Sequence, residues 1–561
     1  LLLERAVGMS EVCVELVGKL VGEMLGLSKE ELSPSDNLIS LGLGSLDIMR
    51  IAGLLTKNGC NVTFSELVSN PCMASWVNFA RERSARSSSN GSPLLGSANY
   101  SKGDPFPITS VQHAYMVGRR DGQELGGTAC HAYMEFECGS LDAAKLERAV
   151  ELLILRHPML RARFSDDGTA RIEDKVTWKG LTTYRVEGAG NPDSRIEGIR
   201  QELSHLRFDI EQDDLIDVRL TVVSPKRTIM HINVDLLAAD VLSIQVLLED
   251  LAHLYDGTDL APIEIDFMEY ARRTGIGEDA RNEDREYWLN RIDNMPGGPS
   301  LPLKAPMESV KRSQFTRMEY LIDSKSWKNF TEKGRQIGVT QSMGIAAVYA
   351  KALSRWSEDK KFLLNLPLFN RKPIHPDVDK IVSDFTSLIL LEADCANAIS
   401  LLELASQMQG RFQQDVAHSS FGAVEVLREL SHRCPNDPKK APVVFASNIG
   451  TQFISNKVED VFGPLSKMLA ETPQVLLDHQ IYDHKNGLLL AWDYVSELLD
   501  DKIAKQMFEA YCTAVRFYCE NDWSEPFPDL LPPSQRAARA EANSEGADLG
   551  GGTLHGRFFA R

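Results

Sequence analysis

Hydrophobic residues recur at helical spacing in the first 83 residues of the chain. In Glu11–Leu25 every third or fourth position is apolar, which indicates an amphipathic helix with one buried face. Leu46–Leu55 and Pro71–Arg83 show the same period, and a proline suits the first turn of a helix. The pattern predicts a small helical bundle over residues 1–83.

The hydrophobic pattern stops between Ser84 and Asp104, where serine, glycine and asparagine dominate. Such a segment cannot bury enough apolar surface to fold alone. As a flexible coil, its 21 residues would place their ends roughly 25 Å apart. We therefore predict a linker over residues 84–104 that lets one domain move against another.

Helical and strand-like patterns alternate from residue 105 onward. Leu141–Leu155 and Leu242–Tyr255 are predicted helices, and Thr228–Leu236 is a predicted buried strand. Further predicted strands are Ala170–Trp178, Phe362–Leu368, Phe385–Leu391, Pro442–Ser447 and Gly487–Trp492. The mixture indicates an α+β domain over residues 105–535. Residues 536–561, rich in alanine, glycine and acids, are a predicted second linker.

The composition is that of an ordinary globular protein, with 43% hydrophobic and 25% charged residues. A formal net charge of −18 argues against nucleic acid as a partner, because binding a duplex needs clustered Lys and Arg. No apolar run reaches the length of a membrane span. The nine cysteines lack zinc or disulfide spacing. We expect reduced thiols, no metal site and a cytoplasmic protein.

Ser45 is the candidate site of the small domain. It lies in Leu41-Gly42-Leu43-Gly44-Ser45-Leu46, where a loop ends and a predicted helix opens. A serine at this place usually caps the helix, but a helix amino end also favours an attached phosphate. The turn resembles that of acyl, aryl and peptidyl carrier proteins, and the resemblance implies 4'-phosphopantetheine on Ser45. The family has Asp or His where Gly44 stands.

The large domain contains the spacing D-x-x-x-x-D-x-x-S at Asp235, Asp240 and Ser243. It follows a predicted strand and precedes a predicted helix, so a loop could aim these polar groups into a cleft. Two acids and a serine coincide often by chance, and Asp240 or Ser243 could simply cap the helix. The spacing alone therefore does not decide between a site and a turn.

Other segments complete a series with this spacing. They are Phe106–Arg119, Arg156–Phe164, Leu366–Arg371, Asp384–Thr386, Pro442–Asn448 and Thr472–Gln480. In this order they resemble the signature series of heterocyclisation domains of nonribosomal peptide synthetases, of the kind that build the siderophores pyochelin and yersiniabactin. Plain condensation domains carry H-H-x-x-x-D-G instead, and their two histidines would fall at Asp235 and Leu236.

The resemblance implies a fold, an activity and partners. The fold is a four-helix carrier bundle followed by two chloramphenicol-acetyltransferase-like lobes, at about residues 105–275 and 276–535. The activity joins an upstream acyl, aryl or peptidyl thioester to a carrier-bound Cys, Ser or Thr, and then closes a thiazoline or oxazoline ring. The implied partners are a phosphopantetheinyl transferase, an upstream loading enzyme or module, and downstream adenylation and peptidyl carrier domains.

The resemblance also gives candidate catalytic residues. Asp478 would be the acid/base of cyclodehydration, since loss of water needs a positioned proton donor. Asn365 falls near an active-site amide of the family. The family often has Thr where Ala446 stands, and Ser447 could supply the hydroxyl instead.

Asp235, Asp240 and Ser243 are also counted among the candidate site residues. Both aspartates are expected to be more architectural than catalytic, because a buried carboxylate needs a partner to stay charged. Arg371 is the predicted partner of Asp240, with Arg163 second. We expect Asp384 and Thr386 to be structural as well.

Two alternatives stay open at this point. The large domain could form a linear amide and stop, or it could be a scaffold that only binds carriers. Product mass separates the first alternative from heterocyclisation, because ring formation loses one extra water.

Overall fold

The structure is a computed structural model. It describes residues 2–25, 27–28, 31–57, 60, 62, 64–87, 103–186, 191–275, 282–369, 371–372, 374–434 and 439–544. The predicted linker lies largely outside these ranges, as do residues 545–561.

The first domain is the predicted helical bundle. Its helices are α1 (Leu2–Leu25), α2 (Ser45–Lys57), α3 (Phe64–Ser69) and α4 (Met73–Ser87). Val17 and Val21 of α1, Ile51 of α2 and Trp76 of α4 are fully buried between them. The three helices predicted from apolar spacing are confirmed, because each buries the face that the spacing marks.

The large unit contains thirteen further helices within the described residues. They are α5 (Ser110–Gly118), α6 (Ala143–Arg156), α7 (Pro192–Leu203), α8 (Val241–Tyr255), α9 (Phe267–Thr274), α10 (Asn282–Leu289), α11 (Ser324–Gln336), α12 (Gln341–Trp356), α13 (Leu401–Val416), α14 (Ala423–Arg433), α15 (Asn456–Phe462), α16 (Asp501–Glu520) and α17 (Pro533–Ser544). The last helix occupies the start of the predicted second linker, and its side chains are mostly exposed.

Fourteen strands form the sheets of the described part. They are β1 (Phe106–Pro107), β2 (His131–Cys138), β3 (Ala162–Ser165), β4 (Thr169–Ile172), β5 (Thr182–Arg185), β6 (Ile216–Ser224), β7 (Arg227–Asp235), β8 (Phe315–Asp323), β9 (Lys361–Phe369), β10 (Thr386–Asp394), β11 (Val443–Gln452), β12 (Leu465–Glu471), β13 (Leu477–His484) and β14 (Gly487–Val495). The predicted strands at β7, β9, β10, β11 and β14 are confirmed, whereas the strand predicted over 170–178 ends at Ile172.

The strands form one major sheet in each lobe. The first lobe has the order β12-β2-β7-β6-β5, and the second has β10-β9-β11-β13-β14-β8. Strand β12 comes from the second half of the chain but pairs antiparallel with β2. The second half of the chain therefore contributes a strand to the sheet of the first lobe, which the division at residue 275 did not anticipate.

The cysteines differ from the expectation at one position. Seven of the nine are free thiols, but Cys60 of the first domain is disulfide-bonded. The expectation of reduced thiols throughout the chain is therefore wrong at Cys60, where spacing along the sequence could not show which side chains meet in the bundle.

Candidate active site between the two lobes

A cavity of about 550 Å³ lies between the two lobes. Its walls come from the loop and helix after β7 in the first lobe and from β9, β10, β11 and β13 in the second. Leu236, Ala239 and Ile244 line one side, and Asn365 and Asp478 line the other. The volume lies in the range of small-molecule binding sites.

The register of the second sheet places Asp478 on this cavity. On β13, Asp478 lies opposite Val444 of β11 and opposite Asp493 of β14. Val444 pairs in turn with Asn365 of β9, and Asp493 with Arg317 of β8. Side chains directly opposite one another share a face of a sheet, so these five residues form one row across five strands.

Hydrogen bonds hold one oxygen of Asp478 and leave the other free. The Gln480 amide donates to Asp478 Oδ2 at 2.6 Å. Gln480 is itself fixed, because Arg317 Nη2 and the Tyr482 hydroxyl both donate to its Oε1. Asp478 Oδ1 is buried and has no hydrogen-bond partner within the described part of the chain. The free oxygen can therefore accept a bond from a substrate.

Burial changes the proton affinity of Asp478. Removal from water raises the pKa of this carboxyl to about 7, and the charge of Asp493 adds to the rise. The bond from Gln480 and the charge of Arg317 act in the opposite direction. A group that titrates near neutral pH is suited to both giving and taking a proton.

Asn365 shares the cavity with Asp478. Its side chain lines the wall, and its Oδ1 is buried with no partner among the described residues. Strands β9 and β11 meet here only through the pair Asn365–Val444. The structure thus brings Asn365 and Asp478 to one wall, as the sequence predicted, separated by a single strand.

Ser447 lies on the other side of β11. Ala446 lines the main cavity, whereas Ser447 lines a second, much smaller cavity and exchanges a hydrogen bond of 2.7 Å with Ser342. Successive side chains of a strand point to opposite faces. Ser447 therefore does not share the cavity of Asp478, and its predicted role as the missing hydroxyl has no geometric support.

Asp240 and Ser243 connect the two lobes. Asp240 caps α8 by accepting the Ser243 amide at 2.7 Å, and it binds Arg371 Nη2 at 2.9 Å. The Ser243 hydroxyl donates to the Ser383 carbonyl at 2.7 Å and accepts from Arg371 at 2.9 Å. The predicted pair Asp240–Arg371 is present. Asp240 therefore has two roles at once: it caps α8, and it binds an arginine of the other lobe.

The other predicted structural residues lie close by. Asp235 is fully buried and binds Arg119 through both oxygens, at 3.2 and 2.8 Å. Arg163, the second choice as partner of Asp240, pairs with Asp214 instead. The Thr386 amide donates to Asp384 Oδ1 at 3.0 Å, and both residues line the main cavity.

Sequence reasoning missed the residues that support the site from behind. Arg317 binds Asp493 through two nitrogens, and Arg119 binds Asp235. Both are nearly fully buried. A charged residue inside an otherwise apolar strand or helix pattern is the signal that could have found them, since a buried charge needs a partner.

Within the described ranges, no group of His, Cys, Asp and Glu side chains could hold a metal ion. The described helices also include none that is both long and apolar enough to cross a membrane.

Comparison with known proteins agrees with this geometry. The family model described as Condensation domain matches residues 106–521, and the one described as Phosphopantetheine attachment site matches residues 15–80. The chain belongs to the condensation-domain family. The family expected from the motif series is thereby confirmed.

Two relatives and one solved structure extend the comparison. The chain is 35% identical over 553 residues to phenyloxazoline synthase MbtB of Mycolicibacterium paratuberculosis, covering 96% of this chain and 47% of that protein. It is 34% identical over 555 residues to pyochelin synthetase PchE of Pseudomonas aeruginosa, covering 98% and 38%. The chain thus spans less than half the length of both.

The solved structure is the EpoB cyclization-docking bidomain of a nonribosomal peptide synthetase from Sorangium cellulosum. It superposes with a TM-score of 0.70 at 29% identity, over 81% of this chain and 93% of that one. The condensation-family fold is therefore shared with the cyclization-docking bidomain of a nonribosomal peptide synthetase.

The carrier domain of this condensation-family chain presents a capped helix amino end. Ser45 is the first residue of α2. The Gly44 amide donates to Asp47 Oδ2 at 2.9 Å. This is one of the two hydrogen bonds of a capping box, the one from the N-cap amide to the side chain three residues later.

The carrier domain packs against the second lobe. Ser69 donates to the Gln413 carbonyl at 2.9 Å, and Arg335 donates to the Leu41 carbonyl at 3.5 Å. Helix α2 also contacts β11, the strand whose Ser447 lines the small second cavity.

These features fit a covalently attached 4'-phosphopantetheine. The group has a phosphate, and α2 begins at the serine. The amide groups at the amino end of a helix stabilise a negative charge. The terminal thiol of the cofactor holds an acyl group as a thioester when bound. The matched attachment domain implies this cofactor.

Proposed function

We propose that this chain is the carrier and heterocyclisation part of a nonribosomal peptide synthetase that makes a siderophore. Ser45 carries the upstream acyl, aryl or peptidyl group as a phosphopantetheine thioester. The large domain joins that group to a Cys, Ser or Thr held on a downstream carrier and then closes a thiazoline or oxazoline ring. The domain boundaries at residues 83, 104 and 535 belong to the same proposal.

One observation carries the ring-closing half. Asp478 combines a free, cavity-facing oxygen with a pKa raised to about 7. Attack by the side-chain thiol or hydroxyl on the amide carbonyl releases a proton, and loss of the resulting hydroxyl as water consumes one. A single carboxyl can take the first proton and return it in the second step.

Asn365 supports the same chemistry from the adjacent strand. Its side-chain amide lines the cavity and can donate to the carbonyl oxygen as negative charge develops there. Removing one such donor typically costs about 10²–10³-fold in rate. Ser447 has a different place in the proposal, because it lies beside Ser342 at the smaller cavity.

The named activities of two relatives point the same way, since one is called a phenyloxazoline synthase and the other a pyochelin synthetase. The proposed partners are therefore a phosphopantetheinyl transferase, an upstream loading enzyme or module, and downstream adenylation and carrier domains, with the reaction in the cytoplasm. A scaffold without catalytic activity would not need a buried, unpaired carboxyl, because such a group lowers the stability of the fold.

Reconstitution tests this function. The chain is modified with the arm, loaded with an aryl group and mixed with a cysteine-loaded downstream carrier, and the product on that carrier is weighed by mass spectrometry. Heterocyclisation gives the ring product. A product heavier by one water would identify a condensation-only enzyme, and no transfer at all would identify a scaffold.

A further inference from the structure

A second buried carboxyl faces the main cavity. Asp384 precedes β10 and is 1% exposed. Its Oδ1 accepts the Thr386 amide at 3.0 Å, whereas its Oδ2 is buried with no partner among the described residues. Asp384 lines the same cavity as Asp478. It was predicted to be structural, yet half of its hydrogen-bonding capacity is left for something that enters the cavity.

The groups around Asp384 leave it without a neutralising partner. Arg371 lies next to it but binds Asp240 at 2.9 Å, so that positive charge is already matched. The other titratable neighbours are the Tyr115 hydroxyl and the Cys130 thiol, both buried. Burial raises the pKa of Asp384 to about 7; the charge of Asp240 adds to the rise, and Thr386 opposes it.

Tyr115 is close enough to both carboxyls for their charges to act on its hydroxyl. The charges of both Asp384 and Asp478 raise the pKa of its hydroxyl, after the larger effect of burial. Tyr115 also lines the cavity. A substrate that fills this cavity is therefore in reach of two carboxyls, one on the β13 wall and one at the start of β10.

We propose that Asp384 is a second catalytic residue, which receives a proton from the α-ammonium group of the acceptor aminoacyl thioester before amide formation. This role rests on the proposed function.

The amide-forming step needs such an acceptor. An α-amino group has a pKa of about 7.7–8.0, so it is mostly protonated and not nucleophilic at neutral pH. One ammonium proton goes to the Asp384 carboxylate. The nitrogen then forms a bond to the donor carbonyl carbon as the carbon–sulfur bond of the thioester breaks, and a second nitrogen proton goes to the departing sulfur. Asp384 finally releases its proton to water.

The decisive experiment separates the two halves of the reaction. The full chain, with Ser45 loaded from benzoyl-coenzyme A, is mixed in single turnover with a cysteinyl downstream carrier; a second assay starts from that carrier bearing preformed N-benzoylcysteine. We expect Asp384→Asn to slow amide formation by about 10²–10⁴-fold. The same variant should still close the ring of the preformed amide at the wild-type rate. Asp478→Asn should instead form the amide and be slow in ring closure.

Two further readouts test the protonation itself. The amide-forming rate of the wild type should depend on a group of the protein that ionises near pH 7. Asp384→Asn should lose that dependence and keep only the dependence on the α-amino group of the substrate, and Asp384→Glu should restore part of what is lost. Infrared difference spectra of the unloaded chain should show protonated carboxyls that disappear above neutral pH. Asp384→Asn should lose one of these signals, and Asp478→Asn should lose another.

The outcomes are distinguishable from failure of the proposed function. If the wild type closes no ring on the preformed amide, heterocyclisation itself is refuted. If the wild type closes the ring but Asp384→Asn forms amide normally, or loses both steps together with its melting temperature, the catalytic role of Asp384 is refuted.

Discussion

Asp478 and Asp493 lie directly opposite each other on β13 and β14, but only Asp493 has an arginine partner. Arg317 reaches Asp493 with two nitrogens and reaches Asp478 only through Gln480. Two carboxyls so close disfavour each other's charge. Burial raises the pKa of Asp493 as well, but its direct pairing with Arg317 opposes that rise. The pairing therefore favours the ionised form of Asp493, and Asp478 is the member to which we assign proton exchange in the proposed function.

Asp478→Asn should uncouple the two halves of the reaction. Amide formation depends on holding two tethered reactants together and, in the proposal above, on Asp384, and the variant retains both, so amide formation should largely survive. Ring closure should slow by about 10²–10⁴-fold, because asparagine cannot exchange the proton. The linear amide, heavier by one water, should accumulate on the downstream carrier and is measured by mass spectrometry.

A matched control uses an exposed aspartate. Asp259 is exposed on the surface, so Asp259→Asn should leave both products unchanged. Ring formation at the normal rate in Asp478→Asn would show that another group is the acid/base.

Asp478 should also make stability depend on pH. Its pKa is raised to about 7 in the folded state, so the folded chain holds this proton more tightly than the unfolded chain. Stability should therefore fall as pH rises from about 4 to about 7 and then stay level, with a contribution of up to roughly 4 kcal/mol.

Thermal melting at several pH values measures this effect. Asp478→Asn removes the ionisable group. The melting temperature of the variant minus that of the wild type should therefore be larger at pH 8 than at pH 4. An equal difference at both values would show that Asp478 is not the source of the pH dependence.

Asp240→Ala should lower stability as well as activity. It leaves Arg371 buried without its carboxylate, and breaking a buried ion pair costs roughly 3–5 kcal/mol. Denaturant unfolding measures the loss. The double variant Asp240→Asn with Arg371→Met should lose less than the sum of the two single changes, and a fully stable, inactive Asp240→Ala would instead indicate a chemical role.

Ser45 should be the one attachment site of the arm. Incubation with coenzyme A and a phosphopantetheinyl transferase should add one arm to the wild type and none to Ser45→Ala, as read from the intact mass. The Ser45→Ala chain should still fold, because Gly44 and Asp47 retain the helix cap. An arm on another serine would contradict this assignment.

Ser447→Ala should leave ring closure of a preformed amide unchanged. Its hydroxyl points to Ser342 and away from the cavity of Asp478. Ser342→Ala, which removes the other half of the same hydrogen bond, is the matched control. A large loss of ring closure in Ser447→Ala alone would show that this hydroxyl reaches the reacting carbonyl after all.

The sequence by itself determined the local elements and the candidates. Apolar spacing located the carrier helices, β7 and α8, because helices and strands bury one face at a fixed period. The motif series located Asp478, Asn365 and the pair Asp240–Arg371. These features depend on residues close together in the chain, or on a resemblance that already contains the long-range contacts.

Only the tertiary structure decided which face and which partner each side chain has. A shift of one residue turns a strand side chain to the other face, which is why Ala446 and not Ser447 lines the main cavity. The crossing of β12 into the first lobe, the pairing of Arg317 with Asp493, and the free oxygen of Asp384 all depend on packing between segments far apart in sequence. A buried carboxyl is held in one state when a cation lies beside it, and that cation comes from a segment distant in sequence, as Arg119, Arg371 and Arg317 do.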